Sequence, residues 1–388
     1  MQSMKYNYSV VMPCLNEEKT LATCIRKIHK SFLPLKRKYE IIVADNGSTD
    51  KSIQIAKKEG AKVVNVAEKG YGAALQAGIC KAEGKYIIMG DADDSYDFLA
   101  IEPFVNKIEQ GYDLVMGNRF AGRIMPGAMP WQHQFFGNPM LSLLGRIFFR
   151  SPVGDFYCGM RAFRKKAWDR MALQTTGMEY AIEMVAKASI LNMKITEIPI
   201  TLYKDGRQRR PHLRTWHDGF KTLHFMLLFA PNWLFLSPGL FLIFGGTILF
   251  SLTLVKPAHI FGINLDVHTL LISSTFISIG IQILFLGLFA KIFIHKYNLI
   301  PTTHLLAFTL IKNNLNRATL ICGVALLIGL IIVAKTFLGW YQQGFGALDY
   351  STTMRMVIPA AFLIQLGFQV FFNTFFLGVI LLPRKSPF

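Results

Sequence analysis

A chain of 388 residues with a net charge of +18, 52% hydrophobic residues and a mean hydropathy of +0.34 is too long and too apolar for one ordinary soluble domain. Charge divides it unevenly: Met1 to Lys221 carries 33 Lys/Arg and 22 Asp/Glu, whereas Thr222 to Phe388 carries only nine and two. Five scattered cysteines without CxxC spacing suggest neither a disulfide frame nor a zinc site. No nucleic-acid motif accompanies the basic charge, so nucleic acid is not an expected partner, and the apolar run after Lys5 is too short for a signal peptide.

Residues 8–13 (YSVVMP) read as a short buried strand, and Leu21, Cys24, Ile25 and Ile28 then recur at helical spacing. Asn16 is placed to cap that helix, with Glu17 and Glu18 in its first turn. The pattern repeats as strand 40–44, the turn DNGST, helix 50–59, strand 62–66, helix 71–82, strand 86–90 and strand 113–117. Such alternation predicts an α/β fold built on a parallel, doubly wound sheet, which binds ligands beyond the carboxyl ends of its strands. Polar clusters fall at those ends: Asn16 and Glu17, then Asp45, Asn46 and Ser48, then Asp91, Asp93 and Asp94.

The cluster GDADDSYDF, residues 90–98, carries the chemistry. An Asp-x-Asp offers hard oxygen ligands to Mg2+ or Mn2+, which completes its shell with substrate phosphates and water. The alternative is a set of helix caps or solvated turns. Gly70 and Gly72 in GYGAALQAG allow close backbone approach to a ligand, but no Gly-Lys-Ser/Thr follows and the segment is no Walker loop. Arg119 and Arg123 follow a strand, where guanidinium groups suit phosphate oxygens and surface arginines are also common. Residues 130–150, rich in aromatics and leucines, form either an interfacial helix or a buried helix of the first domain.

Charge-free windows at 222–255, 267–290, 318–334 and 356–383 predict four membrane spans. The first is too long for one upright helix, and Pro231 and Asn232 split it into an interfacial helix over 217–229 and a span over about 232–254. The expected domains are 1–203, a basic linker with interfacial helix over 204–230, and a membrane domain over 231–388. Lys291, Lys296, Lys312 and Arg317 lie between the second and third spans, and Arg384 and Lys385 in the tail. Both termini and the first domain should therefore face the cytoplasm. The linker's Arg207, Arg209 and Arg210 serve either as a juxtamembrane anchor or as a phosphate site, two compatible roles. Small residues such as Gly280, Gly287, Gly323 and Gly329 would let helices pack closely.

The order PCLNEE, ADNGSTD, GYGAALQAG, GDAD, MGNRF, GDFYCGMRAF resembles the family-two glycosyltransferases with a GT-A, Rossmann-like fold over residues 8–203. With the basic linker and four spans, the chain resembles their polyprenyl-phosphate subgroup, relatives of dolichol-phosphate mannose and glucose synthases. That resemblance implies a nucleotide-sugar donor, an undecaprenyl or dolichyl phosphate acceptor, inversion at the sugar and Mg2+ or Mn2+ as cofactor. It puts Pro13, Asn16, Glu17, Asn46 and Ser48 around the nucleoside, Asp45 on the base, Asp91 near the ribose and Asp93 on the metal. It also implies an acceptor-side role for Asp155, conventionally as general base, with Arg161 and the arginines at 119 and 123 on acceptor or diphosphate. Met160 replaces the family's usual aromatic. A phosphate monoester arrives largely ionised at pH 7, which makes a base less necessary and leaves Asp155 to orient the acceptor or to help hold the metal or the arginines. The resemblance also admits a homo-oligomer.

Two other readings stand beside this one. A processive synthase, or a transferase to another acceptor, would fit the same catalytic half, although no QxxRW motif is present. A non-catalytic nucleotide-sugar-binding membrane scaffold would require the Asp91 and Asp93 pair to be idle.

Overall fold

The computed structural model describes residues 5–206, 215–296 and 306–382. Arg207, Arg209 and Arg210, and likewise Arg384 and Lys385, lie outside the described residues. The chain forms two units, Met1–Phe229 and Ala230–Phe388.

The first unit opens with β1 (Tyr6–Cys14), α1 (Leu21–Leu35), β2 (Tyr39–Asp45), α2 (Ser52–Lys58), β3 (Lys62–Asn65), α3 (Tyr71–Cys80) and β4 (Gly84–Met89). It continues through α4 (Glu102–Glu109), β5 (Leu114–Ile124), α5 (Asn138–Phe149), β6 (Arg161–Arg164), α6 (Lys165–Met171), α7 (Tyr180–Ile190), β7 (Ile195–Leu202) and α8 (Thr215–Phe229). The strands form one seven-stranded sheet in the order β3-β2-β1-β4-β6-β5-β7. Helices in the connections keep β1, β2, β3 and β4 parallel. The expected all-parallel sheet needs one correction: β6 runs antiparallel to both β4 and β5. The core gathers Val10, Met12, Ile41, Val43 and Ile88 from the strands with Leu21, Cys24, Ile25 and Ile28 from α1. That set is the helical spacing seen in the sequence, so the apolar stripe of α1 faces the sheet.

Helix α5 is two-faced. Leu141, Gly145 and Phe149 are buried, while Met140, Leu143 and Ile147 are exposed. They continue the exposed Trp131, Phe135 and Phe136 of the preceding turns. Helix α8 packs on α5 and α7 and leaves Phe220 and Leu228 uncovered.

In the second unit, α9 (Ser237–Thr253) follows a π-helical turn at Asn232–Leu236, and a hairpin of β8 (Ala258–Ile260) and β9 (Ile263–Leu265) leads into α10 (Val267–Lys296). Helices α11 (Leu306–Gln342) and α12 (Tyr350–Leu381) complete it. Among the described residues four helical stretches are long and apolar enough to cross a membrane: Asn232–Thr253, Val267–Lys296, Thr319–Gln342 and Tyr350–Leu381. They match the four charge-free windows, and the break at Pro231 falls where expected. Small residues seat the close pairs. A Cβ on Gly280 would meet the Gly239 carbonyl at 2.8 Å, and one on Gly329 the Ala360 carbonyl at 2.8 Å. Gly323 faces open space instead, so it seats no neighbour within the unit. Polar groups bind two of the spans: Gln369 Nε2 and Asn373 Nδ2 each donate to Gln282 Oε1 at 3.0 Å. At another point Arg355 donates to the Thr253 carbonyl and pairs with Asp266, linking three helix ends.

Candidate active site

Because β2, β1 and β4 are adjacent and parallel, with Cys14 opposite Asp45 and Val11 opposite Met89, their polar turns lie side by side at one sheet edge. Pro13 sits half-buried at the end of β1. Asn16 adopts φ 60° and does not cap a helix. Its amide donates to Ser48 Oγ at 2.9 Å, and its Oδ1 accepts from Thr49 N at 2.7 Å. Helix α1 starts later, after Thr20, so Glu17 and Glu18 precede it. Glu17 is buried and its amide donates to Ser52 Oγ at 2.8 Å. Helix α2 begins only at Ser52, past Ser48 and Thr49, and the Ser52 amide donates to Asp50 Oδ1 at 2.9 Å.

Asp45 is buried, and its carboxylate accepts from Gly47 N at 3.0 Å and Ser48 N at 3.1 Å. It first folds its own turn, as short polar side chains do. Asn46 ties that turn to the next connection by donating to the Glu68 carbonyl at 2.7 Å and accepting from Gly70 N at 2.8 Å. Pro13, Asn16, Glu17, Asp45, Asn46 and Ser48 therefore belong to one edge, held together by side-chain to main-chain bonds.

The acidic cluster divides by direction. Thr20 Oγ1 donates to the Ala92 carbonyl at 2.7 Å, pinning the turn between Asp91 and Asp93. Asp93 is 8% exposed and accepts from Ser95 N at 3.1 Å and Ser95 Oγ at 2.6 Å, while its carbonyl accepts from Gly206 N at 3.0 Å. Asp94 turns away through φ 61° and pairs with Lys27 at 2.8 Å. Asp91 Oδ1 accepts from the Tyr71 hydroxyl at 3.0 Å. Burial, reinforced by the Asp91 carboxylate, pushes that phenol well above its ordinary value, so it stays a donor. Among the described residues no group of three or more His, Cys, Asp or Glu would hold an ion unaided. Two hard carboxylates one residue apart suit a divalent ion that takes the rest of its shell from phosphate and water, so Asp91 and Asp93 fit Mg2+ or Mn2+.

The acceptor-side residues behave differently from the expectation. Asp155 is fully buried and binds Arg119 through Nε at 2.7 Å and Nη2 at 2.8 Å. It also accepts from the amides of Arg119 at 3.1 Å and Tyr157 at 3.3 Å. A carboxylate so fully engaged is not poised as a general base; it holds Arg119 in place, one of the roles left open for it. Arg161 is a plain correction. Its side chain is fully buried and donates to the carbonyls of Cys158 at 2.8 Å, Ala181 at 2.7 Å and Phe156 at 3.0 Å, so it holds the 156–161 loop and faces no ligand. Arg123 is exposed near the end of β5, opposite Thr201 and past the irregularity in the β5–β7 ladder. Sequence reasoning missed Glu197, which accepts from Gly154 N at 2.8 Å, Asp155 N at 3.2 Å and Asn118 Nδ2 at 3.1 Å. Its signal was a carboxylate inside an otherwise uncharged strand, ITEIPITL.

The glycine pair of GYGAALQAG also serves the chain itself. The amides of Gly72 and Ala73 donate to the carbonyls of Gly177 at 3.2 Å and Thr176 at 3.0 Å. A Cβ on Gly72 would lie 2.5 Å from the Thr175 carbonyl oxygen. The close approach is thus to residues 175–177, whose loop is held by the buried Glu183: Thr175 N donates to it at 2.9 Å, and Lys187 pairs with it at 2.7 Å. Overpacking of this kind costs about 1–3 kcal/mol. Gly72→Ala is accordingly expected to lower the thermal midpoint. Gly219→Ala, in α8 with nothing within 4 Å, should leave it unchanged or raise it. Equal midpoints for the two variants would refute this packing role. Glu179, at the N-cap of α7, pairs with Lys221 of α8 at 2.5 Å.

A mixed α/β unit with polar turns and an Asp-x-Asp at one sheet edge, followed by four apolar helices, defines a membrane-embedded GT-A-like glycosyltransferase. The chain belongs to glycosyltransferase family 2: residues 9–171 match the family model, and residues 288–381 match its C-terminal transmembrane region. It is 34% identical to the low-salt glycan biosynthesis hexosyltransferase Agl6 of Haloferax volcanii over 374 residues, 95% of this chain and 88% of that protein. It is 30% identical to a dolichyl-phosphate hexose transferase of the same organism over 195 residues, 50% of this chain and 81% of that protein. A looser likeness, with a TM-score of 0.46, 22% identity and coverage of 58% of this chain and 80% of the other, links it to glucosyl-3-phosphoglycerate synthase of Mycobacterium tuberculosis, crystallised with Mn2+, UDP and glucosyl-3-phosphoglycerate. The protein is thus an integral membrane glycosyltransferase.

Proposed function

We propose that this glycosyltransferase moves a sugar from a UDP- or GDP-sugar to a polyprenyl phosphate, with inversion, at the cytoplasmic face of its membrane. The observation that carries the reading is the Asp91 and Asp93 pair at the carboxyl edge of the sheet, in a chain whose second unit consists of membrane-spanning helices. The name of the relative that transfers hexose to dolichyl phosphate supports this acceptor class.

Asn16, Asp45 and Ser48, with Pro13, Glu17 and Asn46 around them, shape the nucleoside side of the site. Asp93, helped by Asp91, would hold Mg2+ or Mn2+, whose charge neutralises the diphosphate as it leaves. Arg119, held in place by Asp155, presents its guanidinium toward the acceptor side, where Arg123, Arg207, Arg209 and Arg210 add positive charge for the lipid phosphate. That phosphate is largely ionised at pH 7 and attacks without prior deprotonation, which agrees with a fully engaged Asp155. Lys291, Lys296, Lys312 and Arg317, set against Lys256, Lys335 and Arg355, orient the catalytic unit and both termini to the cytoplasm. In this reading residues 1–203 catalyse, 204–230 link along the membrane surface, with the exposed apolar stripe of residues 131–147 against lipid, and 231–388 anchor, as a monomer or homo-oligomer.

Purified full-length protein, given undecaprenyl or dolichyl phosphate, Mg2+ or Mn2+, and a panel of UDP- and GDP-sugars, should yield a glycolipid detectable by mass spectrometry. Nucleotide release without glycolipid would move the acceptor elsewhere. No turnover in folded protein across the panel would favour a scaffold.

A further inference from the structure

Asp91 is gripped from two sides by residues that bind nothing in the reading above. The Tyr71 hydroxyl donates to Oδ1 at 3.0 Å, while the other oxygen, Oδ2, rests over Gly159, where a Cβ would lie 2.7 Å from it. Gly159 is itself anchored, since its amide donates to the Tyr96 hydroxyl at 2.8 Å. Tyr71 is anchored as well. It is the first residue of α3, the helix start wedged by Gly72 and Ala73 onto the 176–177 carbonyls.

We propose that Tyr71 is a positioning residue that aims the Asp91 carboxylate at the metal and diphosphate, with Gly159 as its backstop. This rests on the reading of Asp91 and Asp93 as the metal-diphosphate site. The hydroxyl donates to Oδ1 and so limits rotation of the carboxylate about its Cβ–Cγ bond. An outer partner that orients a ligating carboxylate changes metal affinity without touching the metal. Three separate segments, α3, the 90–94 turn and the 155–160 loop, meet at this one side chain. Its direction therefore depends on the loop next to the acceptor side as well as on its own strand.

The test uses the full chain in detergent and reads Mn2+ binding by electron paramagnetic resonance, with UDP and with GDP present, rather than turnover. Wild-type protein should bind Mn2+ with one of the two nucleotides. Tyr71→Phe keeps the ring and removes only the donor, and should weaken that binding by about 10- to 100-fold while the thermal midpoint stays within a few degrees. Gly159→Ala pushes on the other oxygen and should weaken it in the same direction, an independent check should the phenylalanine variant fold poorly. Wild-type affinity in both variants overturns the positioning role while leaving the site reading intact. Absence of Mn2+ binding by the wild type with either nucleotide overturns the site reading and this inference with it.

Discussion

Asp155→Asn should lower the thermal midpoint of the protein by roughly 10 °C, with activity lost along with structure. Arg119 is 7% exposed, and Asp155 is its only carboxylate ion-pair partner among the pairs described, at 2.7 Å. Asparagine removes the charge and turns one acceptor toward Arg119 into a donor. Leaving a buried guanidinium uncompensated costs about 3–5 kcal/mol. The companion variant Arg119→Lys keeps the charge but loses the two-pronged contact, and should be milder. The two outcomes of a melting experiment separate the roles of Asp155 cleanly. An unchanged midpoint with abolished glycolipid synthesis would restore it as a catalytic base.

Asp93→Asn should reduce turnover by roughly 100- to 1,000-fold with little change in melting, whereas Asp94→Asn should retain most activity. Asparagine at 93 still accepts from Ser95, which supplies two of the bonds that hold the residue. It withdraws the charge that an ion and a departing diphosphate need, a contribution of several kcal/mol to the barrier. Asp94 differs from its neighbour only by backbone direction. Its left-handed φ turns it onto Lys27, a partly exposed pair of small worth, and asparagine tolerates that conformation. Glycolipid assays on both variants, with melting curves alongside, check the contrast. Comparable losses from the two would mean that Asp94 also serves the site.

The resemblance set Asp93 apart from Asp94, but the physical reason was not legible, because three carboxylates in GDADD carry no mark of which peptide turns left-handed. Position was legible where periodicity reports burial. Leu21, Cys24, Ile25 and Ile28 landed on the sheet, and the four uncharged windows became four long helices. Strand order was not: the antiparallel β6 is a four-residue stretch, RAFR, too short to show alternation, and its direction depends on long-range pairing. Arg161 was misjudged for a related reason. Arg161 follows a glycine-containing loop as a phosphate ligand would, yet its donors serve three carbonyls that only the folded loop brings together. The glycines at 70 and 72 were read as room for a ligand, whereas the close approach in the structure is to the chain's own 175–177 segment.

The reversed strand has an architectural consequence. Since β6 runs against β4 and β5, the excursion over residues 125–160 leaves from the end of β5 and comes back on the same edge of the sheet. It therefore forms a cassette, with both seams at neighbouring strand ends and with the exposed apolar stripe and the Asp155 anchor inside it. The turns after β1, β2 and β4 lie outside its seams. Since Gly159 within the cassette lies against Asp91 and Asp155 within it holds Arg119, any insertion or exchange here would be felt on both sides of its seams.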